Sequence, residues 1–231
     1  TPAPGVLPFT VNADAWADHA RSERLLGIPG AGRMTFQSDK IWGVPEGTVL
    51  AKTISLEMTA GDPSSRKRLE TQILHFENES WRPYTYVWND EQTDALLLEG
   101  EGKTITLSIA DARAPGGQRE QPYRFSGRAE CRLCHNPWAG EGLKFGRQSA
   151  SPLTLNTLQL HDNDESSGRL RAWERLGLFD GALPADLKGL KRLVNPRDAE
   201  SNLADRARSY LHANCAHCHQ FGGGGSANIL L

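Results

Sequence analysis

From about residue 33 to residue 125 the apolar positions come in short runs rich in Thr, Ile, Val and aromatic side chains. These runs are Thr48–Leu56, Leu69–Phe76, Tyr84–Trp88, Ala95–Glu99 and Thr104–Ile109. Turn signals separate them, among them Pro45-Glu46-Gly47, Gly61-Asp62-Pro63 and Glu99-Gly100-Glu101-Gly102. Short strands at such spacing predict a β-sandwich or small barrel, closed off by Ala114-Pro115-Gly116-Gly117 and Pro122. Ahead of it, an N-cap at Asn12 or Asp14 opens a predicted helix through Ala15, Trp16, His19, Ala20 and Leu25. Gly27, Pro29, Gly30 and Gly32 stop that helix.

Beyond residue 126 the period turns helical. Segments are predicted around Cys131, over Leu153–His161, over Leu170–Leu178, and from Pro196-Arg197-Asp198 through Leu203, Ala207, Tyr210 and Leu211 to Cys215. The expected fold class is α+β. A β-rich, sandwich- or barrel-like unit with an N-terminal helix fills residues 1–125, and a mainly α-helical unit fills residues 126–231.

Two copies of one motif lie in the helical part: Cys131-Arg132-Leu133-Cys134-His135 and Cys215-Ala216-His217-Cys218-His219. Cys-x-x-Cys-His is the attachment motif of haem c. Thiols three residues apart share one helical face and reach the two vinyl groups of one porphyrin. The adjacent imidazole, His135 or His219, folds under the ring as the proximal iron ligand. With 7 His in 231 residues, chance would place His after both pairs about 0.1 % of the time. All 4 Cys of the chain belong to the two motifs. Two covalently bound haem c groups are the cofactor expectation. Bacterial haem attachment takes place outside the cytoplasm, so a periplasmic or otherwise extracytoplasmic location is expected.

Charge and composition change this picture little. The net charge of −2 gives no reason to expect nucleic acid as a partner. Residues 1–125 carry 13 Lys and Arg against 17 Asp and Glu, and the remainder 13 against 11, a mild asymmetry able to bias docking with a redox partner. No apolar stretch approaches the roughly 18 residues of a membrane span. Thr1-Pro2-Ala3-Pro4-Gly5 reads as a trimmed start. The 6 Trp residues could help wall a macrocycle site, but their default role is core packing. Phe221-Gly222-Gly223-Gly224-Gly225-Ser226 reads either as an added linker or as a native loop. Asp162-Asn163-Asp164-Glu165 lacks the Gly and terminal Glu of a calcium loop and reads as a solvated turn.

Several longer words of the sequence resemble a bacterial family of di-haem c-type cytochromes. They are Val11–Asp18, Pro45–Thr53, Arg68-Leu69-Glu70-Thr71 and Tyr86–Ala95, and most specifically Ser126–Cys131 with Tyr210–His219. Members are often joined to a propeller resembling quinoprotein sugar dehydrogenases, or occur in large multidomain exported proteins. The resemblance implies an electron-transfer module whose partner is a redox protein or a fused dehydrogenase domain. Members usually continue past the second motif to a Met-Pro-Pro-like segment whose Met would ligate the second haem. Here 12 residues follow His219 and none is Met, which predicts a chain cut short at its C-terminus.

The sixth iron ligands are open. The pool is Met34, Met58, His19, His75, His161, His212 and His217. At 100° per residue His217 points away from His219 and faces a neighbouring haem instead. His161 follows an apolar segment downstream of the first motif. The order of candidates for the first haem is His217, His161, Met58. Electron transfer between two low-spin haems is the leading function. The alternative is a di-haem peroxidase-like enzyme with one iron open. Zinc is disfavoured, because ribbon sites place their Cys pairs roughly 15–20 residues apart, against about eighty here.

Overall fold

The computed structural model describes residues 3–135, 151–162, 168–219, 227 and 229–231. Among the described residues eight strands run in sequence order: β1 (Val6–Phe9), β2 (Arg21–Gly27), β3 (Val49–Glu57), β4 (Arg66–Glu77), β5 (Ser80–Trp88), β6 (Ala95–Leu97), β7 (Lys103–Ala110) and β8 (Gln118–Phe125). The first six form one antiparallel meander in the order β1 to β6, and β7 pairs with β8. Consecutive antiparallel strands need only tight turns between them. Gly61, between β3 and β4, supplies left-handed backbone at such a turn. A bridge between Thr59 and Ala110 ties the small sheet to the large one.

All five strands expected between residues 33 and 125 are present. Three others escaped the pattern. Edge strand β1 carries Pro8, opposite Leu25, where a missing N–H costs no ladder bond on the open side. In β8, Pro122 pairs with Thr106 and is tolerated for the same reason. The helix expected from Asn12 to Leu25 is not formed. Asp18 and His19 have φ of 46° and 68°, outside right-handed helix, and Arg21–Gly27 pairs residue for residue with β3. Ladder bonding to a neighbouring strand outweighed a weak local propensity.

The expected mainly helical unit after residue 126 is also not what forms. Four helices are described: α1 (Arg128–His135), α2 (Thr157–Leu160), α3 (Arg169–Arg175) and α4 (Leu203–Cys215). Their lengths are 8, 4, 7 and 13 residues, so the protein is mostly β. Pro152, Pro184, Pro196, Gly168, Gly177, Gly181 and Gly189 interrupt the apolar pattern between them. Those apolar residues pack on the sheet from loops and single turns.

Leu155, Leu160, Leu170, Trp173, Phe179, Leu183 and Leu187 join Phe9, Leu26, Met34, Trp42, Leu50 and Trp81 in one cluster. This core therefore draws on both sides of residue 125. Trp42 sits at its centre, 2 % exposed, edge-on to Trp173 and Phe179. A second cluster lies under β7 and β8, built from Ile54, Leu56, Leu69, Ile109 and Phe125. Each fully buried Leu or Ile contributes about 1.5–3 kcal/mol. Of the predicted Asp162–Glu165 turn, residues 163–165 lie outside the described residues, as does the Gly222–Gly225 run.

Candidate functional site

The first motif occupies the end of α1, and the start of that helix is firmly anchored. The Glu130 carboxylate accepts from the Gly127 N–H (2.8 Å) and from Arg124 Nε (2.7 Å). The hydrogen bond from Arg124 holds its pKa below the usual range. A Cβ on Gly127 would lie 2.6 Å from the Gly102 nitrogen, so only glycine lets the chain turn here. Cys131 and Cys134 then project from one face, both half-buried. Cys131 Sγ lies 4.0 Å from Thr85 Oγ1 on β5. Burial pushes both thiol pKa values up.

His135 is held from one side. Its Nδ1 lies 2.8 Å from the Ser151 carbonyl oxygen, and its own carbonyl accepts from the Ser151 N–H. A carbonyl only accepts, so Nδ1 carries the proton and Nε2 keeps its lone pair. Burial lowers the His135 pKa, which favours this neutral ring. An imidazole oriented by a carbonyl through its second nitrogen is the usual arrangement of a metal-ligating histidine.

The second motif ends α4. Asn202 caps that helix, its Oδ1 accepting from Ala204 N at 2.9 Å. At the other end the N–H groups of Cys218 and His219 both donate to the Cys215 carbonyl, at 3.1 and 2.9 Å. Among the described residues His219 Nδ1 is buried without a hydrogen-bond partner. Asn214 Oδ1 accepts from the Trp16 N–H at 2.7 Å, which ties the segment after β1 to this helix.

The motifs meet. Cys218 acts electrostatically on Cys134, and His217 on His135. One cavity of about 530 Å³ is lined by Cys131, Cys134 and His135 of the first motif and by His212, Ala213, Ala216 and His217 of α4 and the turn that follows it. That volume is typical of small-molecule sites, about 300–1,000 Å³. Leu50, Leu74 and Pro83 of the large sheet line it as well, together with Arg24, Lys52 and Gln72.

Of the candidate distal ligands, His217 lines this cavity, whereas His161 and Met58 do not. His161 is buried at the end of α2, its carbonyl accepting from Asn12 Nδ2. Met58 packs against the second core, and Met34 is a core residue. Cys215, Cys218 and His219 are also outside the lining. Among the described residues no three His, Cys, Asp or Glu side chains converge as a metal-binding group.

Sequence reasoning missed the charged sheet residues facing the cavity. The available signal was Lys52 at an inward position of an alternating strand. It also missed Glu70, 2 % exposed, whose Oε1 accepts from Tyr123 Oη (2.8 Å) and Gln72 Nε2 (3.1 Å). Its Oε2 has no hydrogen-bond partner among the described residues. Burial raises the pKa of both Glu70 and Tyr123.

Compared with known proteins, the chain matches no family model, no curated protein and no solved structure. No helix among the described residues is long and apolar enough to cross a membrane.

Proposed function

We propose that the chain is a di-haem c-type cytochrome. It passes electrons between an oxidative partner, either a separate redox protein or a fused dehydrogenase domain, and a downstream acceptor, outside the bacterial cytoplasm. The observation that carries this reading is one cavity lined by Cys131, Cys134 and His135 of the first Cys-x-x-Cys-His motif together with Ala216 and His217 of the second, distant in sequence.

The residues fit the group. Cys131 and Cys134 offer two thiols from one face of α1, and His135 keeps Nε2 available because the Ser151 carbonyl occupies Nδ1. A haem bound there supplies an iron that cycles between two oxidation states at a potential set by its axial ligands and its burial. The chain's part is to anchor, orient and bury. His217, which lines the same cavity, would be the favoured second imidazole for the iron of the first haem. For the second, Cys215 and Cys218 are the anchors and His219 the proximal ligand. Leu50, Leu74 and Pro83 keep the cavity apolar and restrict water.

The test is the visible spectrum, oxidised and reduced, of protein produced where haem attachment operates, with a pyridine haemochrome count. Two haems with sharp low-spin bands are expected. A high-spin component shifted by cyanide or carbon monoxide would point instead to an open, catalytic iron. A chain without a Soret band would sink the cytochrome reading.

A further inference from the structure

Register in the large sheet places a polar row across an apolar floor. Arg24 of β2, Lys52 of β3, Gln72 of β4 and Thr85 of β5 are paired in succession. Paired residues share a face. Two residues along, the same face carries Leu26, Leu50, Leu74 and Pro83. Arg24, Lys52 and Gln72 line the cavity shared by the two motifs, and Thr85 touches Cys131.

This row holds more positive charge than the protein offsets. Arg24 and Lys52 are directly opposite each other, and like charges so placed repel. Arg24 is paired with Asp14. Among the described residues Lys52 has no hydrogen bond or ion pair. Asp14 and Glu70 act on it only at a distance, and burial disfavours its charged form. Glu70 is itself biased towards the neutral acid by burial. The half-buried Lys52 ammonium therefore stands on the wall of this cavity without a counter-anion among the described residues.

On the di-haem reading above, we infer that Lys52 is the counter-ion of a propionate carboxylate of the haem attached at Cys131 and Cys134. The propionates leave the porphyrin at the edge away from the thioether bonds. Thr85, beside Cys131, is two strands from Lys52, or about 10 Å at ~4.8 Å per strand, a distance on the scale of the macrocycle. The thiol end and the ammonium end of this row are therefore spaced as the two edges of one haem. Gln72, between them, already donates to Glu70. A cation beside the haem also favours the reduced iron, so Lys52 holds the potential of that haem up.

The test is redox titration of the haem-loaded protein, read in the visible bands. Resonance Raman spectra of the propionate modes supply a second readout. In Lys52→Met the haem count stays at two, the midpoint of one haem falls, that of the other holds, and one propionate mode shifts. Lys52→Arg restores both signals. Unchanged midpoints and propionate modes in a Lys52→Met protein that holds two haems overturn the inference and leave the cytochrome reading intact. No haem in the unaltered chain overturns both. Should Lys52→Met fail to load, Lys52→Gln keeps a polar group without the charge and is read in the same way. Loss of haem from both, rescued by Lys52→Arg, supports the cation's role. Loss from all three makes Lys52 structural and ends the proposal.

Discussion

His135 presents Nδ1 to the carbonyl oxygen of Ser151 at 2.8 Å, sixteen residues further along the chain. The contact fixes one tautomer of the ring before any ligand arrives. In haem-free protein, nitrogen-resolved NMR of the imidazole should show the proton on Nδ1 and none on Nε2. The opposite tautomer would leave the iron-binding nitrogen blocked and remove the main local support for His135 as a proximal ligand.

Haem count separates the two motifs. Replacing Cys131 and Cys134 together by Ala should lower the pyridine haemochrome value from two per chain to one. The Cys215→Ala, Cys218→Ala pair should do the same. Intact mass measures the covalent loss directly. A value that stays at two in either double variant would contradict covalent attachment at that motif.

Glu70 predicts a pH dependence with a definite sign. Burial raises its carboxyl pKa above the ordinary value of 4.5, so the folded chain holds this proton to higher pH than the unfolded one. Its contribution is full below the unfolded value and is lost as pH rises through the folded value. Glu70→Gln removes this loss. Urea unfolding should therefore show the variant gaining on the parent between pH 4 and pH 7, and equal differences at both pH values would refute the assignment.

Gln159 acts as a strand in miniature. Its Oε1 accepts from the Ala13 N–H at 3.0 Å and its Nε2 donates to the Ala13 carbonyl at 2.9 Å. Gln159→Leu keeps the bulk but leaves two buried backbone groups unpaired, at about 1–3 kcal/mol each. A destabilisation of about 2 kcal/mol or more is expected in a denaturant titration. Because Ala13 lines the cavity, haem loading should weaken along with stability.

Trp42 tests whether the two halves share a core. Truncation to Ala should cost about 3–5 kcal/mol, since the ring meets Trp173 and Phe179 from beyond residue 125 as well as Phe36. One cooperative unfolding transition moving as a whole is expected. Two transitions, with only one shifted, would show that the halves melt separately.

The sequence by itself determined what is local. The motif Cys131-x-x-Cys134-His135 is legible because it consists of fixed residue types at fixed spacing. Val49–Glu57 and its neighbours are legible because alternation and turn residues act over a few positions. Tertiary structure decided the rest. Arg21–Gly27 became a strand because β3 offered it a ladder. Among the described residues Leu155 to Leu187 form only short helices, because their burial is satisfied against a sheet formed by residues far earlier in the chain. The row Arg24–Lys52–Gln72–Thr85 exists only through register, since pairing alone brings residues of four separate strands onto one face. Helical angle singles out His217 and strand alternation turns Lys52 inward, but that both line one cavity with His135 depends on contacts between residues far apart in the chain.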